Sequence, residues 1–128
     1  MLVLLAYFEK VVGRTRLQKI VFLLQRKFNT NFGYNFVSYF YGPYSRDLQF
    51  DVNLLNMMDV VNVSAGTGVY IHTLSEKGMG MAKDIMKRRN EDPEIKELIS
   101  RLDYFKAKKT SSLVMDAKKL SKHPSLFE

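Results

Sequence analysis

Not one cysteine occurs among the 128 residues, which excludes disulfides, thiol nucleophiles and thiolate-bound metals. Histidine is nearly as scarce: there are two, His72 and His123, and no carboxylate cluster is spaced to complete a metal site with either. His72 is therefore read as a surface or packing residue. The chain lacks a phosphate-binding loop, since Gly66-Thr67-Gly68 has neither the third glycine nor the lysine and following helix that such a loop requires. No Ser/His/Asp arrangement can be placed, and Asp47 and Asp51 at i, i+4 are a pairing that any helix surface offers. An enzyme is thus the least favoured class, with no catalytic residue, cofactor or metal expected. Long apolar runs are missing too. Met1 to Phe8 is almost wholly apolar, but Glu9-Lys10 ends it far short of the roughly 20 residues a membrane span needs. With no basic leader or small-residue cleavage site beside it, the reading is a buried first helix in a cytoplasmic protein. Internal repeats, low-complexity tracts and long linkers are absent as well, so residues 1–128 read as one domain.

What is present is enough for a single core. The chain is 46% apolar and 26% charged, which suits one globular unit. Its formal charge of +7, with a pI near 9.6, favours an anionic partner, nucleic acid being the usual one. Most of the excess lies in the first half: Met1 to Met58 carries seven Lys and Arg against three Asp and Glu.

Hydrophobic spacing predicts a first helix over Leu2–Val12, ended by Gly13. Thr15 can cap a second helix in which Leu17, Ile20, Val21, Leu24 and Phe28 recur at helical spacing. Its remaining faces carry Arg14, Arg16, Lys19, Arg26 and Lys27, either a nucleic-acid surface or an ordinary solvated face. Six aromatics lie between Phe32 and Tyr41. They can stack on bases or a ligand, but core filling is the preferred reading. Within them, Phe36–Tyr41 reads as a short strand.

The stretch that organises the rest is Tyr41-Gly42-Pro43-Tyr44-Ser45. It reads as a rigid turn feeding a helix from Arg46 to Met58, with Ser45 as N-cap and Leu48, Val52 and Leu55 as its apolar stripe. A hairpin follows over residues 60–73, with Gly66 and Gly68 at its tip. Next come a helix capped by Ser75 and ending in Lys87-Arg88-Arg89-Asn90, a helix opened by Asp92-Pro93, and a last one opened near Thr110 and stopped by His123-Pro124. Helix, turn, helix, hairpin is the order of a winged helix-turn-helix. The fold expected is therefore α+β, mainly α: a winged-helix core over about 14–90 with extra N- and C-terminal helices, the C-terminal extension covering about 92–122. Those two last helices either thicken the core or pair with a second copy, and a homodimer is the favoured reading.

Leu17-Gln18-Lys19-Ile20, Tyr39-Phe40-Tyr41-Gly42-Pro43-Tyr44-Ser45, Asp51-Val52, Leu55 and Leu74-Ser75-Glu76-Lys77-Gly78 resemble the YwgA-like winged-helix proteins of bacteria and archaea. More distantly they resemble the Panacea domain of antitoxins and phage-associated proteins. The motif after the hairpin is similar to that of PadR-like and MarR-like regulators. The resemblance covers roughly residues 14–80 and implies a winged-helix fold and, for the regulators, DNA binding. It supplies no catalytic residues.

The leading expectation is a DNA-binding transcriptional regulator. Its contacts would come from Arg14, Arg16 and Lys19, from Tyr44, Ser45, Arg46, Gln49 and Asn53 at the second helix of the motif, and from Thr67 on the wing. Asp47, Asp51 and Asp59 oppose it, since carboxylates beside phosphates weaken binding. The rival is a winged-helix module that docks a protein partner, and a third reading is non-specific DNA or RNA binding. The arrangement of the cations discriminates: convergence favours nucleic acid, scatter favours the adaptor.

Overall fold

The computed structural model describes residues 1–66 and 68–121. Within them the chain is α+β and mainly helical: α1 Leu2–Phe8, β1 Lys10–Val12, α2 Arg14–Lys27, β2 Val37–Tyr39, β3 Gly42–Tyr44, α3 Arg46–Met57, β4 Val61–Ser64, β5 Ile71–Leu74, α4 Glu76–Met86, α5 Pro93–Lys106 and α6 Thr110–Ser121. One antiparallel sheet has the order β1-β5-β4, and β2 and β3 form a separate two-stranded hairpin.

The expected first helix is shorter than its apolar pattern. It stops at Phe8, Glu9 takes a left-handed φ of 66°, and Lys10, Val11 and Val12 form a strand opposite Thr73, His72 and Ile71. Gly13, with φ of 100°, is not the end of that helix but the residue that turns the chain from β1 into α2, a backbone region that favours glycine. Thr15 accordingly lies inside α2 and does not cap it, and no side chain caps its N-terminus.

α2 is the axis of the molecule. Every residue from Leu17 to Leu24 is buried, Gln18 and Lys19 included. An amphipathic helix with solvated polar faces was expected; instead its middle is enclosed on all sides, because α5 and α6 fold back over it. Leu102, Phe105, Leu113 and Ala117 of those two helices are fully buried in the same core as Ile20, Val21 and Leu24. The C-terminal extension therefore thickens the core, and its apolar stripes are used within the chain.

α3 begins as its sequence dictates. Ser45 Oγ accepts from Leu48 N–H at 3.2 Å, and Leu48 and Val52 bury beneath it. Just upstream, Tyr41–Ser45 is more than a turn: Gly42–Tyr44 is a strand, paired with Val37–Tyr39 across a two-residue loop of Phe40 and Tyr41. The aromatic segment divides accordingly. Phe32, Tyr34 and Phe36 pack on the core, whereas Tyr39, Phe40 and Tyr41 stand exposed.

Ser75 and Asp92 cap α4 and α5 as their positions predict. At the N-terminus of α4, Gly78 lies so close to the carbonyl of Val60 that a Cβ there would collide with it. In α4 Met81 is exposed, and Ala82 takes the buried position. The stop at His123-Pro124 lies outside the described residues. No helix among those described is long and apolar enough to cross a membrane.

Candidate functional site

The residues expected to touch DNA are gathered only in part: Arg14, Lys19 and Tyr44 line one hollow and Tyr44 and Arg46 another, while Arg16 and Ser45 are turned inward. Arg14 is exposed at the start of α2 with its guanidinium 3.6 Å from the centre of the Tyr70 ring, beside β5. Arg16 is turned inward, donating to the Phe105 carbonyl at 3.0 Å and to Thr110 Oγ1 at 3.3 Å, so it ties α2 to α5 and α6. Lys19 is 2% exposed and its ammonium donates to the Pro43 carbonyl at 2.8 Å. Ser45 is fully buried, and Tyr44 is half-buried with its ring 5.2 Å from that of Tyr39. Thr67 lies outside the described residues.

Three of the expected residues do come together. Arg46, Gln49 and Asn53 lie along the outer side of α3, where Gln49 Nε2 donates to Asn53 Oδ1 at 3.0 Å. Arg46 is the single cation of that helix, followed by Asp47 in its first turn. Asp51, which could have paired with a cation of α2, instead accepts from the Tyr34 hydroxyl at 2.6 Å. Burial, with that contact second, pushes the Tyr34 phenol well above its usual range. Lys87, Arg88 and Arg89 lie exposed at the end of α4, Lys87 4.0 Å from Asp84.

The same side of α3 carries residues that composition and motif did not single out. Phe50, Leu54 and Met57 are 64%, 42% and 83% exposed. They sit at i, i+4 and i+7, a second apolar stripe on the side away from Leu48 and Val52. The signal was legible in the sequence, but the stronger stripe of the same helix masked it. Val37 of the neighbouring hairpin is also exposed, and a shallow hollow lined by Val37, Tyr44, Arg46 and Asp47 joins it to the start of α3. An exposed, contiguous apolar surface rimmed by polar groups marks an interaction site more often than a lone exposed side chain does.

His72 on β5 is fully buried. Its Nδ1 faces the Val11 carbonyl at 3.0 Å, which requires the proton on that nitrogen, and its Nε2 has no partner. Burial, more than the neighbouring Arg14, holds its pKa below the ordinary histidine value. Among the described residues no group of His, Asp and Glu is placed to hold a metal ion.

Compared with protein-family models, curated proteins and solved structures, the chain matches none of them.

Proposed function

We propose that the chain is a winged-helix domain whose α3 face docks a protein partner. The winged-helix reading is supported by the element order and by the strand β1, which lies against the second strand of the β4–β5 hairpin as the third strand of a winged sheet would. The observation that carries the docking reading is the exposed stripe Phe50, Leu54 and Met57. In a DNA-reading helix these positions would face phosphates and base edges, where they offer no hydrogen bonds. On a protein partner each contributes in proportion to the area it still exposes, up to about 1.5 to 3 kcal/mol for a fully exposed side chain. The electrostatics agree: Asp47 and Asp51 on α3 and Asp59 just beyond it outnumber Arg46. A partner with an apolar stripe and basic flanks suits this face better than a second copy of it, which would bring the same carboxylates together.

The second reading is the DNA-binding regulator. It is favoured by the exposed Arg14 beside Tyr70, and by the exposed Arg46 and Asn53 with the half-buried Gln49 between them. Neither reading assigns the chain a reaction.

A photo-crosslinking amino acid at position 54, compared with one at position 88 in the turn after α4, tests the docking reading in the producing cell. A discrete protein adduct from position 54, abolished by Phe50→Ser with Met57→Ser, is expected. Adducts equal at the two positions would contradict it.

A further inference from the structure

The β2–β3 hairpin has one closed edge and one open one. Val37 pairs with Tyr44, Ser38 with Pro43 and Tyr39 with Gly42. Antiparallel pairs alternate between those that exchange hydrogen bonds and those that do not, and Pro43 has no N–H to exchange. Ser38 and Pro43 are therefore the unbonded pair, and their backbone groups point away from each other, to the two outer edges. On the β3 side those groups are met by α2: the Pro43 carbonyl accepts from Lys19 Nζ, and Gln18 takes the backbone of Ser45. Lys19 reaches there by passing over Gly42, where a Cβ would lie 3.3 Å from its Cε. On the β2 side nothing answers. The Ser38 N–H and C=O have no partner among the described residues, and all three residues of β2 are exposed.

This open edge carries none of the devices that normally keep strands apart. β1, an edge of the other sheet, bears the exposed Lys10, whereas Phe36-Val37-Ser38-Tyr39-Phe40-Tyr41 contains no charge and no proline. The same residues expose apolar surface: Val37, Tyr39 and Tyr41 are more than half exposed, and Phe40 is 95% exposed. Two aromatics are not what a two-residue loop requires, since glycine, asparagine and aspartate serve it better. An uncharged edge beside an exposed aromatic tip is a surface for strand addition.

We propose that a second copy of this chain occupies the edge, its β2 pairing antiparallel with the first about a two-fold axis at Ser38 to make a continuous four-stranded sheet. The identity of the two strands supplies the match. At the axis each Ser38 N–H meets the Ser38 carbonyl of the other copy. On either side Val37 lies opposite Tyr39 of the second copy, a β-branched residue against an aromatic ring. A neutral strand meets its own copy with no like charges opposed, whereas two copies of α3 would oppose Asp47 and Asp51. Stable complexes bury about 800 Å² on each partner, more than a three-residue strand and its loop provide, so the dimer is one that dissociates on dilution.

The chain has no cysteine, so a single introduced cysteine reports the axis. A hydrogen-bonded antiparallel pair sets its Cα atoms about 5.5 Å apart, within the span of a disulfide. Ser38→Cys should give a covalent dimer on mild oxidation, about tenfold or more faster than Ser100→Cys at an exposed position on α5. Sedimentation equilibrium of the unsubstituted protein up to millimolar concentration should show a monomer–dimer equilibrium. Ser38→Pro removes the outward N–H without touching the β2–β3 ladder, and Val37→Lys puts a charge on the edge. Each should weaken dimerisation about tenfold or more at an unchanged circular dichroism spectrum, while Phe50→Ser with Met57→Ser leaves it as it was. A protein that stays monomeric throughout, with Ser38→Cys linking no faster than Ser100→Cys, would overturn the proposal and leave the edge to a strand of another protein. A dimer that survives both edge substitutions, or is lost with the α3 pair, would overturn it equally.

Discussion

Gln18 and Ser45 exchange two hydrogen bonds in the interior: Gln18 Nε2 donates to the Ser45 carbonyl at 2.9 Å, and Ser45 N–H donates to Gln18 Oε1 at 2.8 Å. A side-chain amide thus acts as a strand of backbone would, fixing the first residue of α3 against the middle of α2. Lys19, the next residue, reaches the Pro43 carbonyl two positions upstream. Together they set the angle at which α3 and the hairpin leave the core.

Replacing Gln18 by leucine fills the same space but leaves the buried Ser45 N–H unpaired, while the Ser45 carbonyl keeps the bond it accepts from Gln49 N–H. A loss of about 1 to 3 kcal/mol is expected in urea unfolding, the cost of one buried unsatisfied group. A loss below 1 kcal/mol would show that the pair does not hold the junction.

Gly78→Ala tests the contact between α4 and the start of β4. The added methyl meets the Val60 carbonyl, whose position is itself fixed by hydrogen bonds from Ser75 N and Ser75 Oγ. Neither side can yield cheaply, so a destabilisation of about 1 to 3 kcal/mol is expected by thermal unfolding, against a gain of about 0.5 to 1 kcal/mol for Gly80→Ala, inside the same helix, where nothing lies within 4 Å.

His72 makes the fold sensitive to acid. Its folded pKa lies below the ordinary 6.5, with burial the main cause. The unfolded chain therefore takes up a proton first, and stability is full above about 6.5 and falls as pH drops through the folded value. His72→Phe should remove that part of the slope in unfolding midpoints between pH 7 and pH 5. An unchanged slope would assign the acid sensitivity elsewhere.

Lys19 acts at the other end of the scale. With its pKa lowered from 10.5 to about 8, mainly by burial, the unfolded chain holds the extra proton between those values, so stability rises with pH through that window. The stability of Lys19→Met relative to wild type should accordingly decline from pH 8 to pH 10.5.

Much of this architecture is legible in the chain and some of it is not. Ser45, Ser75 and Asp92 announce their helices because a cap is a local device, and Leu48 and Val52 show the buried side of α3 by spacing alone. β1 is hidden because Val11 and Val12 continue the helical spacing of the first helix, and its partner, β5, lies some sixty residues away. Lys19 reads as a surface cation in any window of sequence. Its burial depends on α6 and on a glycine at position 42, both distant or conformational facts. The outer stripe of α3 is written in Phe50, Leu54 and Met57, yet a helix with apolar residues on two sides declares only that both are covered by something.

The claim that α3 faces a protein and not DNA is tested most directly by duplex binding. A labelled mixed-sequence duplex is titrated across a salt series with wild type and with Arg46→Ala combined with Gln49→Ala, alongside a selection for preferred sites. The docking account predicts that any binding is weak, is lost as salt rises, enriches no site and is reduced at most by the share of one phosphate contact in the variant. Tight binding with an enriched palindromic site, abolished in the variant, would contradict it and establish α3 as a DNA-reading helix.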